Sequence, residues 1–187
     1  MTVAKLAVLG NPVEHSRSPD IHRQFGEAAG IELSYEKILV AAGDFDMVVR
    51  RFMNDGTGLN VTVPCKRDAW ALVDEMSDKA ALAEAVNTIS RSDDGGLFGS
   101  NTDGEGMLRD IVGNLGWKIA GKRVLVIGSG GAVSGVLGDL LEAAPESVDL
   151  FNRTQDKAER LAHRFADQRL QAVAASALES QYDIVIN

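Results

Sequence analysis

The segment Arg123-Val-Leu-Val-Ile-Gly128 constrains the fold of this chain more than any other. It is a short, nearly all-apolar run, the kind of strand that is buried on both faces, and such strands belong to parallel sheets covered by helices. Gly128-Ser129-Gly130-Gly131-Ala132 follows at once, then a helical stretch over Ala132–Ala143 and a second strand over Ser147–Phe151. Strand, glycine turn, helix and strand within about thirty residues make a βαβ unit.

The same alternation runs through the rest of the sequence. Leu6–Leu9, Leu33–Val40, Leu59–Val63, Ala85–Ser90 and Asp183–Ile186 read as further strands. A helix is expected from Ser18, with Ser18 as its N-cap, Pro19 in its first turn and Gly30 ending it. Asp44–Met53 reads as a second helix, with Phe45, Val48, Val49 and Phe52 on one face. Lys66–Asp74, Lys79–Glu84, Asp103–Leu115 and Asp156–Asp167 read as helical, and Asp93-Asp94-Gly95-Gly96 as a tight turn. This alternation predicts an α/β fold with a parallel or mostly parallel sheet. Gly116–Lys122 reads as the boundary between two parts.

Composition narrows the partners. With 187 residues, 45% hydrophobic and 25% charged, the balance is that of an ordinary globular protein. A net charge of −8 argues against a nucleic-acid partner, because nothing supplies the cationic footprint that phosphate backbones require. No apolar stretch approaches the roughly 20 residues needed to span a bilayer, so no membrane is expected. The apolar run near the N-terminus stops at Gly10-Asn11-Pro12 and reads as a first buried strand rather than a secretory signal. Cys65 is the only cysteine, which excludes an internal disulfide and a Cys-rich metal site and fits a reducing cytoplasm. No metal is expected.

The glycine-rich segment has the context of a dinucleotide loop. Glycines there let the backbone turn and approach a pyrophosphate, whose charge sits at a helix N-terminus. The strict pattern would place Gly or Ala at position 133, where this chain has Val133. The end of the second strand is more telling. An NAD site places Asp or Glu about 20 residues after the glycines, to bond the ribose 2′-hydroxyl. Here Asn152-Arg153-Thr154 stands instead, with Lys157 one turn later. Cations attract a 2′-phosphate and, at a helix start, oppose the macrodipole, so they need a ligand to explain them. The expected cofactor is NADP (NADPH), held by Gly128, Ser129, Gly130, Gly131, Ala132, Asn152, Arg153, Thr154 and Lys157.

Four further segments carry a family resemblance. They are Gly10-Asn-Pro-Val-Glu-His-Ser16-Arg-Ser18-Pro-Asp-Ile-His22, Asn60-Val-Thr62-Val-Pro-Cys65-Lys66, Ala85-Val-Asn87-Thr88 and Gly99-Ser-Asn-Thr-Asp103-Gly-Glu-Gly106. In order and spacing they resemble the signatures of the shikimate dehydrogenases, as do the Gly-Ser-Gly-Gly-Ala and Asn-Arg-Thr segments. The resemblance implies a substrate-binding and catalytic α/β domain over residues 1–102 and an NADP-binding Rossmann-type domain over residues 103–187, with the site in the cleft between them. It implies that Ser16 and Ser18 bind the substrate carboxylate, that Thr62, Asn87 and Asp103 contact ring hydroxyls, and that Lys66, with Asp103 beside it, is catalytic. Hydroxyl donors beside a helix start suit an anion, and an ammonium suits the oxyanion that forms as hydride reaches a ketone. His15 and His22 acquire no role.

The implied activity is reversible NADPH-dependent reduction of 3-dehydroshikimate to shikimate, a step in aromatic amino acid biosynthesis. Two alternatives stay open: a quinate/shikimate dehydrogenase that also uses NAD, and a non-catalytic fragment that still binds shikimate. A homodimer is left open as well. Because only the first half of a doubly wound domain is legible, the chain is expected to be truncated, lacking a loop and a late glutamine of the family.

Overall fold

A computed structural model describes residues 3–178 and 181–187. By internal packing these residues fall into two compact units: those up to Ala81 with Ala85–Asn101, and Leu82–Glu84 with Thr102–Asn187. The Gly116–Lys122 segment therefore lies inside the second unit and is not a boundary.

The first unit is built on a six-stranded sheet of order β2-β1-β3-β5-β6-β4. Its strands are β1 (Ala4–Gly10), β2 (Leu33–Leu39), β3 (Gly58–Val61), β4 (Glu75–Met76), β5 (Thr88–Arg91) and β6 (Leu97–Ser100). β1 pairs in parallel with β2 and β3, and β4 with β6, whereas β5 runs antiparallel to both neighbours. The sheet is thus mostly parallel, as the alternation required. β4 and β6 escape the sequence reading, the first because it is two residues long. β6 contains Gly99, where a side chain would collide with Val86 and Val73 at 2.8 and 2.9 Å. Glycine there marks close packing rather than a loop. The helices are α1 (Ser18–Ala29), α2 (Phe45–Met53), α3 (Lys66–Leu72) and α4 (Asp78–Ala83). Phe45, Val49 and Met53 of α2 are buried against Ala7, Leu9, Leu59, Val61 and Ile89 of the sheet. α1 ends at Gly30 in the left-handed conformation (φ +67°), whose N–H bonds Glu27 O, as its placement suggested.

The second unit carries a four-stranded, all-parallel sheet of order β10-β7-β8-β9. Its strands are β7 (Arg123–Ile127), β8 (Ser147–Phe151), β9 (Leu170–Val173) and β10 (Ile184–Ile186). α5 (Asp103–Leu108) runs on into a π-helical turn, Arg109–Asn114, and α6 (Gly131–Glu142) and α7 (Gln155–Phe165) complete the unit with a short 3-10 turn at Ala175–Ala177. Val124, Val126, Val148 and Leu150 pack against Leu137, Leu140 and Leu161 in its core. β9 was missed in the sequence, so the Asp183–Ile186 strand is the fourth and not the third. It lies on the far side of β7, and Asp183 anchors it there by accepting from Arg123 N at 2.9 Å and Lys122 Nζ at 3.1 Å. The sheet therefore holds the first half of a doubly wound domain plus one strand of the second. Leu82–Glu84 joins this unit through Arg164, which pairs with Glu84 at 2.7 Å and donates to Ala83 O at 3.1 Å, and through a Ser134 hydroxyl bond to Ala83 O.

Candidate functional site

In the first unit the motif segments meet at one end of the central strands of the sheet. β1, β3 and β6 end there and antiparallel β5 begins there, with Leu9 opposite Val61 and Thr88 opposite both Asn60 and Ser100. Backbone bonds stitch the segments together. Thr62 N donates to Leu9 O at 2.8 Å, Asn11 N to Val63 O at 3.0 Å, Val61 N to Asn87 O at 2.7 Å and Val86 N to Lys66 O at 2.9 Å. Asn87 N reaches Ser100 O at 3.0 Å, and the buried Asn101 donates its Nδ2 to Ala85 O at 3.0 Å. Gly10 is required by this convergence, since a Cβ there would sit 2.4 Å from Thr62 Cγ2. Lys66 is the first residue of α3 and, like Ser16, Ser18, Thr62 and Asn87, half-buried.

Ser18 is not the cap of α1. Arg17 occupies that position, no side chain caps it, and Ser18 is the first helical residue. Ser16 takes over locally: its Oγ accepts from Ser18 N at 3.3 Å and donates to Ser18 Oγ at 3.1 Å. The two hydroxyls are thus held side by side at a helix start. His22, given no role by the sequence, donates from Nδ1 to Ser18 O at 2.9 Å and stacks on Tyr35 with ring centroids 4.4 Å apart. Its carbonyl partner fixes the proton on Nδ1. Tyr35 O–H donates to Asn60 Oδ1 at 2.6 Å, and Asn60 Nδ2 donates to Thr88 Oγ1 at 3.3 Å. Burial pushes the Tyr35 phenol up to about 12, against a hydrogen bond from Ser18 that pulls it down. Sequence reasoning gave Tyr35, Asn60 and Thr88 no role, although the last two lie inside quoted motifs. Arg23 pairs with Asp20 at the surface, 3.5 Å away. Cys65 is buried, and burial, followed by the Asp68 carboxylate, pushes its thiol up, so it is a poor nucleophile.

The second unit positions the glycine segment and the Asn-Arg-Thr segment side by side. Gly128 N donates to Phe151 O at 2.7 Å, which ties the end of β7 to the end of β8. Gly128 has φ +116°, a conformation that needs glycine, and a Cβ there would press on Val133 Cγ2 at 3.3 Å. Val133, the departure from the strict pattern, instead packs on the core. Gly130 is different: it caps α6 with φ −82°, and a Cβ would meet nothing within 4 Å. Neither conformation nor crowding within the chain requires glycine there, so the open cradle fits a ligand that approaches the backbone. Gly131 and Ala132, exposed, form the first turn of α6, whose leading N–H groups have no acceptor within the helix. Asn152 Nδ2 donates to Thr154 O at 2.8 Å, shaping the turn that leads to exposed Arg153 and Lys157. Because β10 and β8 flank β7, strand order reverses beside the glycine loop, where open α/β sheets bind their ligands. Asp103 opens α5 in this unit and is half-buried, and Gly104 next to it lies so close to Asp139 that a Cβ would overlap its carboxylate.

A mostly parallel α/β unit followed by a Rossmann-type unit with a glycine cradle and basic residues after its second strand defines a dinucleotide-dependent dehydrogenase class. Residues 8–89 match the shikimate dehydrogenase substrate binding domain, and residues 110–187 match the shikimate / quinate 5-dehydrogenase family. A shikimate dehydrogenase (NADP(+)) of Chromobacterium violaceum is 49% identical over 186 residues, covering 98% of this chain and 68% of the relative. The crystal structure of an Ael1 enzyme from Pseudomonas putida superposes with a TM-score of 0.90 at 40% identity, over 97% of this chain and 68% of that one. Shikimate 5-dehydrogenase from Thermus thermophilus, solved with NADP(H) and shikimate, gives a TM-score of 0.83 at 37% identity, over 92% and 63%. The chain belongs to the shikimate dehydrogenase family. No helix among the described residues is long and apolar enough to cross a membrane.

Proposed function

We propose that this protein carries out the reversible NADPH-dependent reduction of 3-dehydroshikimate to shikimate, as a step of aromatic amino acid biosynthesis. The observation that supports this most is the gathering of Ser16, Ser18, Thr62, Lys66 and Asn87, on loops and helix starts, at one end of the strands of the first sheet, stitched by backbone bonds. Ser16 and Ser18 take the substrate carboxylate. Their paired hydroxyls are 3.1 Å apart and can turn both protons toward an anion. Thr62 and Asn87 meet ring hydroxyls, with Asp103 as a further acceptor. Substrate domain over 1–102 and nucleotide domain over 103–187 is the division we adopt.

When bound, NADPH would supply the hydride that reaches the ketone carbon. As negative charge develops on the ketone oxygen, the Lys66 ammonium stabilises it and delivers a proton to that oxygen; in the reverse direction neutral Lys66 removes it. Asp103 accepts from a ring hydroxyl and so orients the ring. On the nucleotide side, the open backbone at Gly130 and the N-terminus of α6 receive the pyrophosphate, with Ser129 and Ala132 beside it. Asn152, Arg153, Thr154 and Lys157 receive the 2′-phosphate, and this selects NADP over NAD. We assign the activity to the cytoplasm.

The test is oxidation of NADPH by this protein with 3-dehydroshikimate, run beside NADH and beside quinate in the reverse direction, with shikimate binding followed by calorimetry. Turnover that favours NADPH and shikimate supports the reading. Equal efficiency with NADH removes the 2′-phosphate assignment. Shikimate binding without turnover identifies a binding fragment instead.

A further inference from the structure

The chain enters the second unit for three residues and leaves it again. Leu82–Glu84 packs with that unit, whereas the residues up to Ala81 and from Ala85 to Asn101 pack with the first. α4 ends at Ala83, and Glu84 follows with φ +47°, in the left-handed region where glycine is the usual residue. Ala144 and Ala166 also adopt positive φ just after helices, but a methyl group gives nothing to grip. The Glu84 side chain is gripped. Its Oε2 accepts from Arg164 Nη2 at 2.7 Å, and Arg164 Nη1 donates to Ala83 O at 3.1 Å, so one guanidinium holds both residues of the turn. The buried Ser134 hydroxyl donates to the same Ala83 carbonyl.

Both holders stand on helices of the second unit. Ser134 is the fourth residue of α6, which begins at the glycine loop, and Arg164 is in the last turn of α7, which begins two residues after Arg153. The peptides that follow the turn are held in the first unit instead. Ala85 O accepts from Asn101 Nδ2 at 3.0 Å, Val86 N donates to Lys66 O at 2.9 Å, and Asn87 N donates to Ser100 O at 3.0 Å. Successive residues are therefore anchored in different units, 83 and 84 in the second and 85–87 in the first. A non-glycine residue in the left-handed region persists only where its surroundings impose that conformation, and here Arg164 and Ser134 impose it.

We propose that Arg164 and Ser134 are positioning residues that fix the Glu84 turn and, with it, the Ala85–Thr88 segment, whose Val86 N–H holds the backbone of Lys66 at the start of α3. This rests on the reading that the segment and Lys66 line the substrate site. Neither Arg164 nor Ser134 acts on the substrate; each acts through the backbone that the turn feeds. A clasp serving only the packing of the second unit would leave the Val86 and Asn87 amides of the first unit as they are. The Arg164 and Glu84 side chains are 28% and 26% exposed, so water screens the pair in part and its effect is moderate.

The experiment compares the parent protein with Arg164→Ala, Arg164→Lys and Ser134→Ala. Backbone hydrogen exchange is followed by NMR without ligand, and shikimate is the probe for binding by calorimetry. In Arg164→Ala the Val86 and Asn87 amides should exchange about tenfold faster than in the parent, the scale of one charge-assisted bond that water partly screens. Val148 N, bonded to Arg169 O in the second unit, and Val40 N, bonded to Gly10 O in the first, should change less than about threefold, because the opening is local. Ser134→Ala should give the same pattern at smaller amplitude. Arg164→Lys keeps the charge without the fork and should fall between the parent and Arg164→Ala. Shikimate binding should weaken about three- to tenfold in Arg164→Ala. Val86 and Asn87 amides that keep the parental rate in Arg164→Ala, or speed up no more than Val148, overturn the proposal. Faster exchange there with unchanged shikimate affinity also overturns it, since the turn would then position nothing the ligand uses. If the parent binds no shikimate while both amides respond to Arg164→Ala, the substrate reading falls and the anchoring of the segment stands. Should Arg164→Ala fail to fold, Arg164→Lys and Ser134→Ala decide by the same comparison.

Discussion

At the scale of single residues, the proposed chemistry separates into effects on rate and effects on binding. Lys66 begins α3 with its carbonyl held by Val86 N, so its backbone is anchored independently of its side chain. Lys66→Ala should therefore fold normally and lower kcat by about 10²–10⁴, with a smaller change in substrate KM, because general acid help exists only in the transition state. Steady-state kinetics check this, and a variant with parental kcat removes Lys66 from the chemistry. Arg153 is exposed beyond the end of β8. Arg153→Ala should weaken NADPH about ten- to a hundredfold, the worth of one charge-assisted bond, and leave NADH as it was. Equal losses for both cofactors would assign Arg153 to the fold or to the shared part of the dinucleotide. These two residues were legible in the sequence because each stands in a linear motif whose neighbours explain it. Tyr35 was not. Its partners His22 and Asn60 lie 13 and 25 positions away and meet it only once α1, β2 and β3 have packed.

At the scale of elements, the glycine loop contains two glycines that do different work, and a pair of variants separates them. Gly128 at φ +116° needs glycine for its conformation, so Gly128→Ala should lower stability by roughly 1–3 kcal/mol. Gly130→Ala adds its methyl group to open space at φ −82°. A poorer helix cap and a less flexible unfolded chain oppose each other there, so stability should stay within about 1 kcal/mol of the parent. Its NADPH affinity should nevertheless fall about tenfold or more, since the methyl group occupies the approach to the backbone. Chemical denaturation and cofactor titration on the two variants check both halves; a Gly130→Ala protein that binds NADPH normally would show that the cradle is not used. The element pattern itself was readable where strands are rich in apolar and β-branched residues, as in β7, β8 and β10. It failed at β4, β6 and β9, which are two to four residues long and carry glycine, alanine or polar residues. Missing β9 made β10 look like the third strand, which hid the reversal of strand order beside the glycine loop. That reversal depends on which side of β7 the last strand joins, and the pairing is set by Asp183 reaching back to Arg123 and Lys122 rather than by any local pattern.

At the scale of the whole molecule, each unit contains one of the two tyrosines of the chain, and both resist ionisation. Tyr35 in the first unit is pushed up to about 12 by burial, against the pull of Ser18. Tyr182 in the second is also pushed up to about 12, by desolvation and by the buried Asp149 carboxylate, to which it donates at 2.6 Å. In the unfolded chain both phenols titrate near 10. Below that pH, folded and unfolded states alike carry the protons, and the contribution of these phenols to stability is complete. Between about pH 10 and about pH 12 the unfolded chain loses its phenolic protons while the folded chain keeps them, so stability falls across that window and the contribution is gone above it. Lysines titrate in the same range, so the comparison that isolates the effect is parent against Tyr35→Phe and Tyr182→Phe. Denaturant midpoints measured on either side of pH 10 should drop with rising pH in the parent and drop less in each variant. The larger relief belongs to Tyr35, since water screens the more superficial Tyr182. An equal drop in parent and variants would mean that the phenols do not resist ionisation in the folded state.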